Sequence, residues 1–260
     1  MHFYLKHQRL NSTIYNFFLL LEIHISNPKT LLFLEPYNKI SMNISCLFLQ
    51  LFFGLTLLLG LATSDPDPLQ DYCIADTKSP LFLNGAPCLN PSLAHSSHFT
   101  TSALAKPGDT KSNPIGFSIT LTTLANLPGI NTMGLTMARV DIASNGLVPP
   151  HSHPRASEVT ICLKGVLLVG FVDTSNRLFT QQLGPGDSFV FPRALIHFLY
   201  NLDSRNPALA VSGLSSQNPG VQIASRAIFV SNPSIPDVIL EKAFQISSTD
   251  IAKIRRNLGG

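Results

Sequence analysis

At 260 residues the chain has room for one large domain or two small ones; it is 45% hydrophobic and only 13% charged, with 16 Gly, 19 Pro and no Trp. The formal net charge of +3 divides into +2 over residues 1–64, with four basic and two acidic side chains, and +1 over 65–260, with fourteen basic and thirteen acidic. The larger part is therefore almost neutral, and no basic stripe offers itself to a nucleic acid.

Residues 1–41 have mixed polarity and little pattern. They read as a disordered upstream extension, or as a long leader, ahead of Met42. From Leu47 to Ala62 runs an apolar segment interrupted by Gln50, closed by the small residues Ala62-Thr-Ser64 and followed by the polar Asp65-Pro-Asp-Pro68. That layout predicts a secretory signal peptide over 42–64. The alternative is a membrane anchor, but the apolar run is roughly 16 residues, short of the ~20 that a spanning helix needs. The mature chain, 65–260, is expected to carry no membrane span.

Cys46 falls within the signal. Cys73 and Cys88 flank a Pro-, Gly- and Asn-rich stretch, Ser79 to Pro87. In a secreted chain this pair reads as a disulfide, the alternative being two free thiols. Cys162 sits in the apolar run Val159–Leu168 and reads as a small buried hydrophobe.

Residues 92–114 are polar and loop-like, with His95 and His98 expected at the surface. The β pattern begins at about 115. Phe117-Ser-Ile-Thr-Leu-Thr alternates apolar and hydroxyl residues, as a half-buried strand does. Gly134–Ile142 is a second strand, and Asn145-Gly146 a turn. Further strands are expected over Glu158–Phe171, Phe179–Leu183, Ser188–Pro192, His197–Asn201, Ala208–Leu214 and Gln222–Phe229. Many short strands jointed by Gly and Pro predict an all-β closed or double-sheet barrel. The tail differs. Asp237–Phe244 and Ile251–Leu258 have helical spacing, the second opened by Ser247-Ser-Thr-Asp250. Ile251, Ile254 and Leu258 form an apolar stripe that needs cover, as a lid on the barrel or an arm on a neighbouring subunit.

The chemistry concentrates in His151-Ser-His153-Pro-Arg-Ala-Ser-Glu158 and, after the turn Gly184-Pro-Gly-Asp187, in His197. Residues i and i+2 of a strand share a face, so His151 and His153 point together. Glu158 has the wrong parity for a straight continuation. Pro154 disfavours one, which predicts a bend at 154–156 and a second strand from about 157 that returns Glu158 to the imidazoles. Three imidazoles and one carboxylate read as a metal site. HxH alone is weak, since such pairs also occur by chance on surfaces and in cores.

These motifs resemble the germin-like proteins, plant members of the cupin superfamily, over about residues 65–258. The resemblance rests on Asp65–Asp76, on Pro149-Pro-His-Ser-His-Pro-Arg-Ala-Ser-Glu158 with Lys164-Gly165, on Gly186–Pro192 through His197 to Asn201, and on Ser216-Gln-Asn-Pro-Gly220. It implies a cupin β-jelly-roll barrel with short C-terminal α-helices. It implies Mn(2+) held by His151, His153, Glu158 and His197, and a Cys73–Cys88 disulfide. It implies secretion to the apoplast or cell wall, and a homohexamer built as a trimer of dimers in which the C-terminal helices serve assembly.

The sequence departs from the family pattern at four positions. Asn145 and Ala194 stand where Gly is usual; if position 194 needs a positive φ, Ala carries a cost. Ala138 and Val148 stand where the oxalate-oxidising germins hold their substrate with two asparagines. Loss of both amides would leave oxalate oxygens unpaired, so oxalate oxidase activity is expected to be absent or weak. Four N/O ligands leave a near-octahedral manganese ion with open positions, which suits superoxide dismutation in plant defence. The competing reading is a non-catalytic, metal-stabilised binding or structural protein of the cell wall.

Overall fold

The computed structural model describes residues 70–81 and 85–259, together with Leu49 and Phe52. The expected extension and most of the expected signal peptide lie outside the described residues. Chain contacts separate Met1–Pro66 from Asp67–Gly260, and the elements named below belong to the second unit.

Among the described residues, ten strands form two antiparallel five-stranded sheets. They are β1 (Phe117–Leu121), β2 (Thr136–Ile142), β3 (Leu147–Ser152), β4 (Glu158–Lys164), β5 (Leu167–Val172), β6 (Leu178–Leu183), β7 (Ser188–Phe191), β8 (His197–Asn201), β9 (Ala208–Leu214) and β10 (Gln222–Ile223). The first sheet has the order β1-β2-β9-β4-β7 and the second β10-β3-β8-β5-β6. The expected all-β jelly roll is the fold observed. Alternation does the sorting: every second residue of β9 is buried, from Ala208 through Ala210 and Ser212 to Leu214. The inward rows meet in one apolar core that includes Ile142, Leu167, Val169, Leu183, Phe191 and Leu199. Each such side chain contributes about 1.5–3 kcal/mol relative to exposure. Cys162 is part of this core, as expected.

The N-terminal segment is pinned from two sides. The disulfide joins Cys73 and Cys88, and the buried Asn131 amide donates to the Ala86 carbonyl. On the outer face of β2, Arg139 pairs with Asp141 and donates to the Leu104 carbonyl, while Asp141 accepts from the Gly108 N–H. His95 is exposed and His98 half-buried.

Two expected strands are corrected. Glu158–Phe171 is two strands, β4 and β5, because Gly165 turns the chain at φ +88°. A Cβ there would lie 2.7 Å from that of Ala208, so conformation and space both demand glycine. Gln222–Phe229 is strand only at Gln222–Ile223; Ala224–Phe229 is a helix, α1. Its apolar residues Ala224, Ala227, Ile228 and Phe229 also fit helical spacing, which a short apolar run does not distinguish from strand.

The tail forms the two expected helices, α2 (Asp237–Phe244) and α3 (Ser248–Asn257). Ser247 caps α3 reciprocally: its hydroxyl accepts from the Asp250 N–H while the Asp250 carboxylate accepts from the Ser247 N–H. Ile251 is fully buried, and Ile254 and Leu258 half-buried. Arg255 ties the three helices together through the Phe229 and Ile235 carbonyls and Asp237.

Candidate metal centre

The site begins with a parity problem on β3. Val148 pairs with Leu199, and His151 with His197, so two residues on β3, Pro149 and Pro150, oppose one on β8, Phe198. The extra residue is a bulge at Pro149-Pro150, where neither residue has an N–H to lose from the ladder. Without it, an inward Val148 would place His151 outward. With it, both are buried. His153 follows just beyond the strand, the chain turns at Pro154-Arg155, and β4 opens with Glu158 facing inward, opposite Leu214 and Phe191. The expected bend and return are both present. His197 begins β8.

The structure brings all four expected residues together. One ligand atom from each of His151, His153, Glu158 and His197 lies within 4.8 Å of the others. The Glu158 Oε2 lies 3.1 Å from His153 Nε2 and 3.3 Å from His197 Nε2. Each imidazole is oriented through its other nitrogen. His151 Nδ1 meets the Pro149 carbonyl at 2.8 Å, His197 Nδ1 the Leu195 carbonyl at 2.9 Å, and His153 Nδ1 the Gly220 carbonyl at 2.5 Å. Donation from Nδ1 fixes the tautomer that leaves Nε2 as a lone-pair donor toward the centre. The Phe191 ring stacks on His197 at 4.4 Å, fixing its plane.

The electrostatics agree. Burial alone would raise the Glu158 carboxyl, but the imidazoles of His153 and His197 outweigh it and hold the group well below the usual carboxylate range. Burial, with His197 alongside, pushes His151 down to about 4. Burial lowers His153 too, but Glu158 and the Gly220 carbonyl prevail and its value is raised. Glu158 Oε2 and His197 Nε2 are buried without an aligned hydrogen-bond partner. Orphaned buried atoms of this kind are expensive unless something binds them. Three imidazoles and one carboxylate fit a divalent cation.

The cupin family pattern matches residues 102–252. Germin-like protein subfamily 1 member 1 of Arabidopsis thaliana is 58% identical over 217 residues, 82% of this chain and all of that protein. The chain is a germin-like cupin. Among solved structures, a recombinant oxalate oxidase in complex with glycolate superposes with a TM-score of 0.71 at 38% identity, over 74% of this chain and 97% of that one. Peruvianin-I, described as a cysteine peptidase from Thevetia peruviana latex, superposes with a TM-score of 0.59 at 41% identity, over 62% of this chain and 98% of that one.

In this germin-like chain the two pocket candidates, Ala138 and Val148, are 4% and 2% exposed and belong to the packed core. They are inner-wall residues rather than rim residues. Sequence reasoning missed the residues that hold the ligands. Thr160 donates to Glu158 Oε1 at 2.8 Å and lies 2.7 Å from Ser212. Thr160 was accessible in principle, as the i+2 neighbour of Glu158 on one strand face. Ser212 and the Gly220 carbonyl were not, since they arrive from fifty or more residues away.

Proposed function

We propose that this is a secreted, manganese-binding germin-like protein of the plant apoplast with superoxide dismutase-like activity. The observation that carries the reading is the convergence of His151, His153, Glu158 and His197 on one point, with Glu158 Oε2 and His197 Nε2 buried and unpartnered. The N/O donor set, without thiolates, favours manganese over softer ions. Held by His151, His153, Glu158 and His197, the ion would supply the one-electron Mn(II)/Mn(III) redox chemistry that superoxide dismutation needs. The chain's part is to hold three neutral imidazoles in one tautomer, to keep Glu158 ionised, and to surround the centre with the apolar core. The peroxide would serve in defence.

Oxalate oxidase activity is the reading suggested by the superposed oxalate oxidase. We place it second, because buried Ala138 and Val148 offer no hydrogen-bonding side chain to a dianion. Thiol-peptidase chemistry has less support. Among the described residues the free cysteine is Cys162, which is inaccessible and whose thiol burial pushes up, opposite to what a nucleophile needs. Secretion is supported by the Cys73–Cys88 disulfide, a bond that persists in oxidising compartments. Assembly into a hexamer, a trimer of dimers, is supported by apolar side chains left exposed on α2 (Val238, Ile239, Phe244) and on the outer face of the first sheet (Met137, Val159, Val190). Association with the cell wall is part of the same proposal.

The test is superoxide dismutation by protein purified from a secreting host, with manganese quantified in the same sample and oxalate-dependent peroxide measured beside it. Activity that scales with bound manganese, and disappears in a His151→Ala/His197→Ala variant, is the expected result. Full manganese occupancy without dismutation above that of free Mn(2+) would leave the non-catalytic, metal-stabilised reading.

A further inference from the structure

Two hydroxyls stand on the inner wall of the first sheet, directly beside the carboxylate ligand. Thr160 and Ser212 are both fully buried. They are cross-strand partners on β4 and β9, and the same inward row continues to Ala138 on β2 and Phe189 on β7. Everything else in that row is apolar. A valine and an alanine would fill the same places without desolvating polar groups.

Hydrogen counting fixes the direction of the chain they form. An ionised carboxylate accepts only, so the Thr160 hydroxyl gives its single proton to Glu158 Oε1 at 2.8 Å. Its contact with Ser212 at 2.7 Å must then be one in which Ser212 donates. The order is Ser212 to Thr160 to Glu158 Oε1. The other oxygen, Oε2, is the one that faces His153 and His197 and lacks an aligned partner. The two oxygens are thus assigned different tasks by the wall behind them.

We propose that the Thr160–Ser212 hydroxyl pair restrains Glu158 to act as a one-oxygen ligand, and so keeps open a coordination position that a two-oxygen grip would occupy. This rests on the metal-binding reading above. A carboxylate with both oxygens free can turn and chelate through both; one tied to Thr160 would have to break a buried hydrogen bond to do so. Thr160 is a positioning residue here, with Ser212 orienting its hydroxyl.

The test compares unaltered protein with Thr160→Val, Thr160→Ser and Ser212→Ala, each loaded with Mn(2+). The number of rapidly exchanging waters per bound ion is read by water-proton relaxation, with bound metal counted separately. Thr160→Val should lower the relaxation enhancement per bound ion about twofold, since one of about two positions closes. Thr160→Ser keeps the hydroxyl and should match the unaltered protein, and Ser212→Ala should fall between. Should Thr160→Val fail to fold, the intermediate value of Ser212→Ala decides, and a value equal to the unaltered protein overturns the proposal. Unchanged enhancement in a folded, metal-loaded Thr160→Val also overturns it and leaves the metal reading intact. Failure of the unaltered protein to bind Mn(2+) overturns both.

Discussion

His153 and Gly220 are 67 residues apart in sequence, yet His153 Nδ1 lies 2.5 Å from the Gly220 carbonyl oxygen. The other two imidazoles lean on carbonyls two residues before them. His153 alone takes its orientation from a remote loop. Arg155 braces that loop, reaching the Asn218 backbone and side-chain oxygens.

Gly220 is expected to be intolerant of substitution for that reason. Its φ is +68°, and an added Cβ would lie 2.9 Å from the Arg155 guanidinium. Gly220→Ala should displace the carbonyl and lower metal affinity about 10–100-fold. Titration with a fluorescent competitor chelator would measure this. Unaltered affinity would show that the loop is not needed to aim His153.

Acid should destabilise the metal-free protein through His151. Its folded value is about 4 against an ordinary 6.5. Between those values the unfolded chain binds the proton and the folded chain does not, so stability rises with pH across the window and is lost on acidification. The gap corresponds to roughly 3 kcal/mol. His153 is shifted upward, so its contribution changes above pH 6.5, and that of Glu158 below about 4.5. Urea midpoints of chelator-treated protein at pH 6.5 and pH 4.5 should differ accordingly, and a His151→Phe variant should lose most of the difference.

Ala194 stands at φ 63°, the left-handed region in which a Cβ is strained. Its N–H donates to the His153 carbonyl at 3.1 Å, which ties the turn before β8 to the metal loop. Ala194→Gly should therefore stabilise the protein by about 1 kcal/mol, the strain relieved exceeding the added chain entropy. Thermal melting decides the sign. Asn145, at φ 54°, is the milder case, because asparagine enters this region more readily.

Reduction of the Cys73–Cys88 bond should cost ~3 kcal/mol, the loop-closure entropy of its 15-residue separation. The N-terminal segment should be released first, since the Asn131 contacts to Cys73 Sγ and the Ala86 carbonyl depend on it. Hydrogen exchange with and without reductant would show protection lost around residues 73–90 before the sheets. Simultaneous loss in both sheets would contradict this.

The local pattern of the sequence determined a good deal. Period-2 alternation located most strands, Pro154 located the bend, the Ser247 cap located α3, and the four ligands were legible because imidazoles and carboxylates are rare in apolar strands. The φ demand at position 194 was legible only through the family resemblance, in which glycine is usual there. What failed was local as well: the apolar runs at 158–171 and 222–229 carry no period strong enough to show a break at Gly165 or a helix at Ala224. Tertiary structure decided the rest. The Pro149-Pro150 bulge turns His151 inward, and a bulge is a relation between two strands. The Gly220 carbonyl and the Ser212 hydroxyl reach the site only because β9 pairs beside β4, and β10, just after Gly220, beside β3. A sequence names the groups that can bind a metal; which oxygen or nitrogen of each is presented depends on hydrogen bonds from segments that meet only once the sheets have formed.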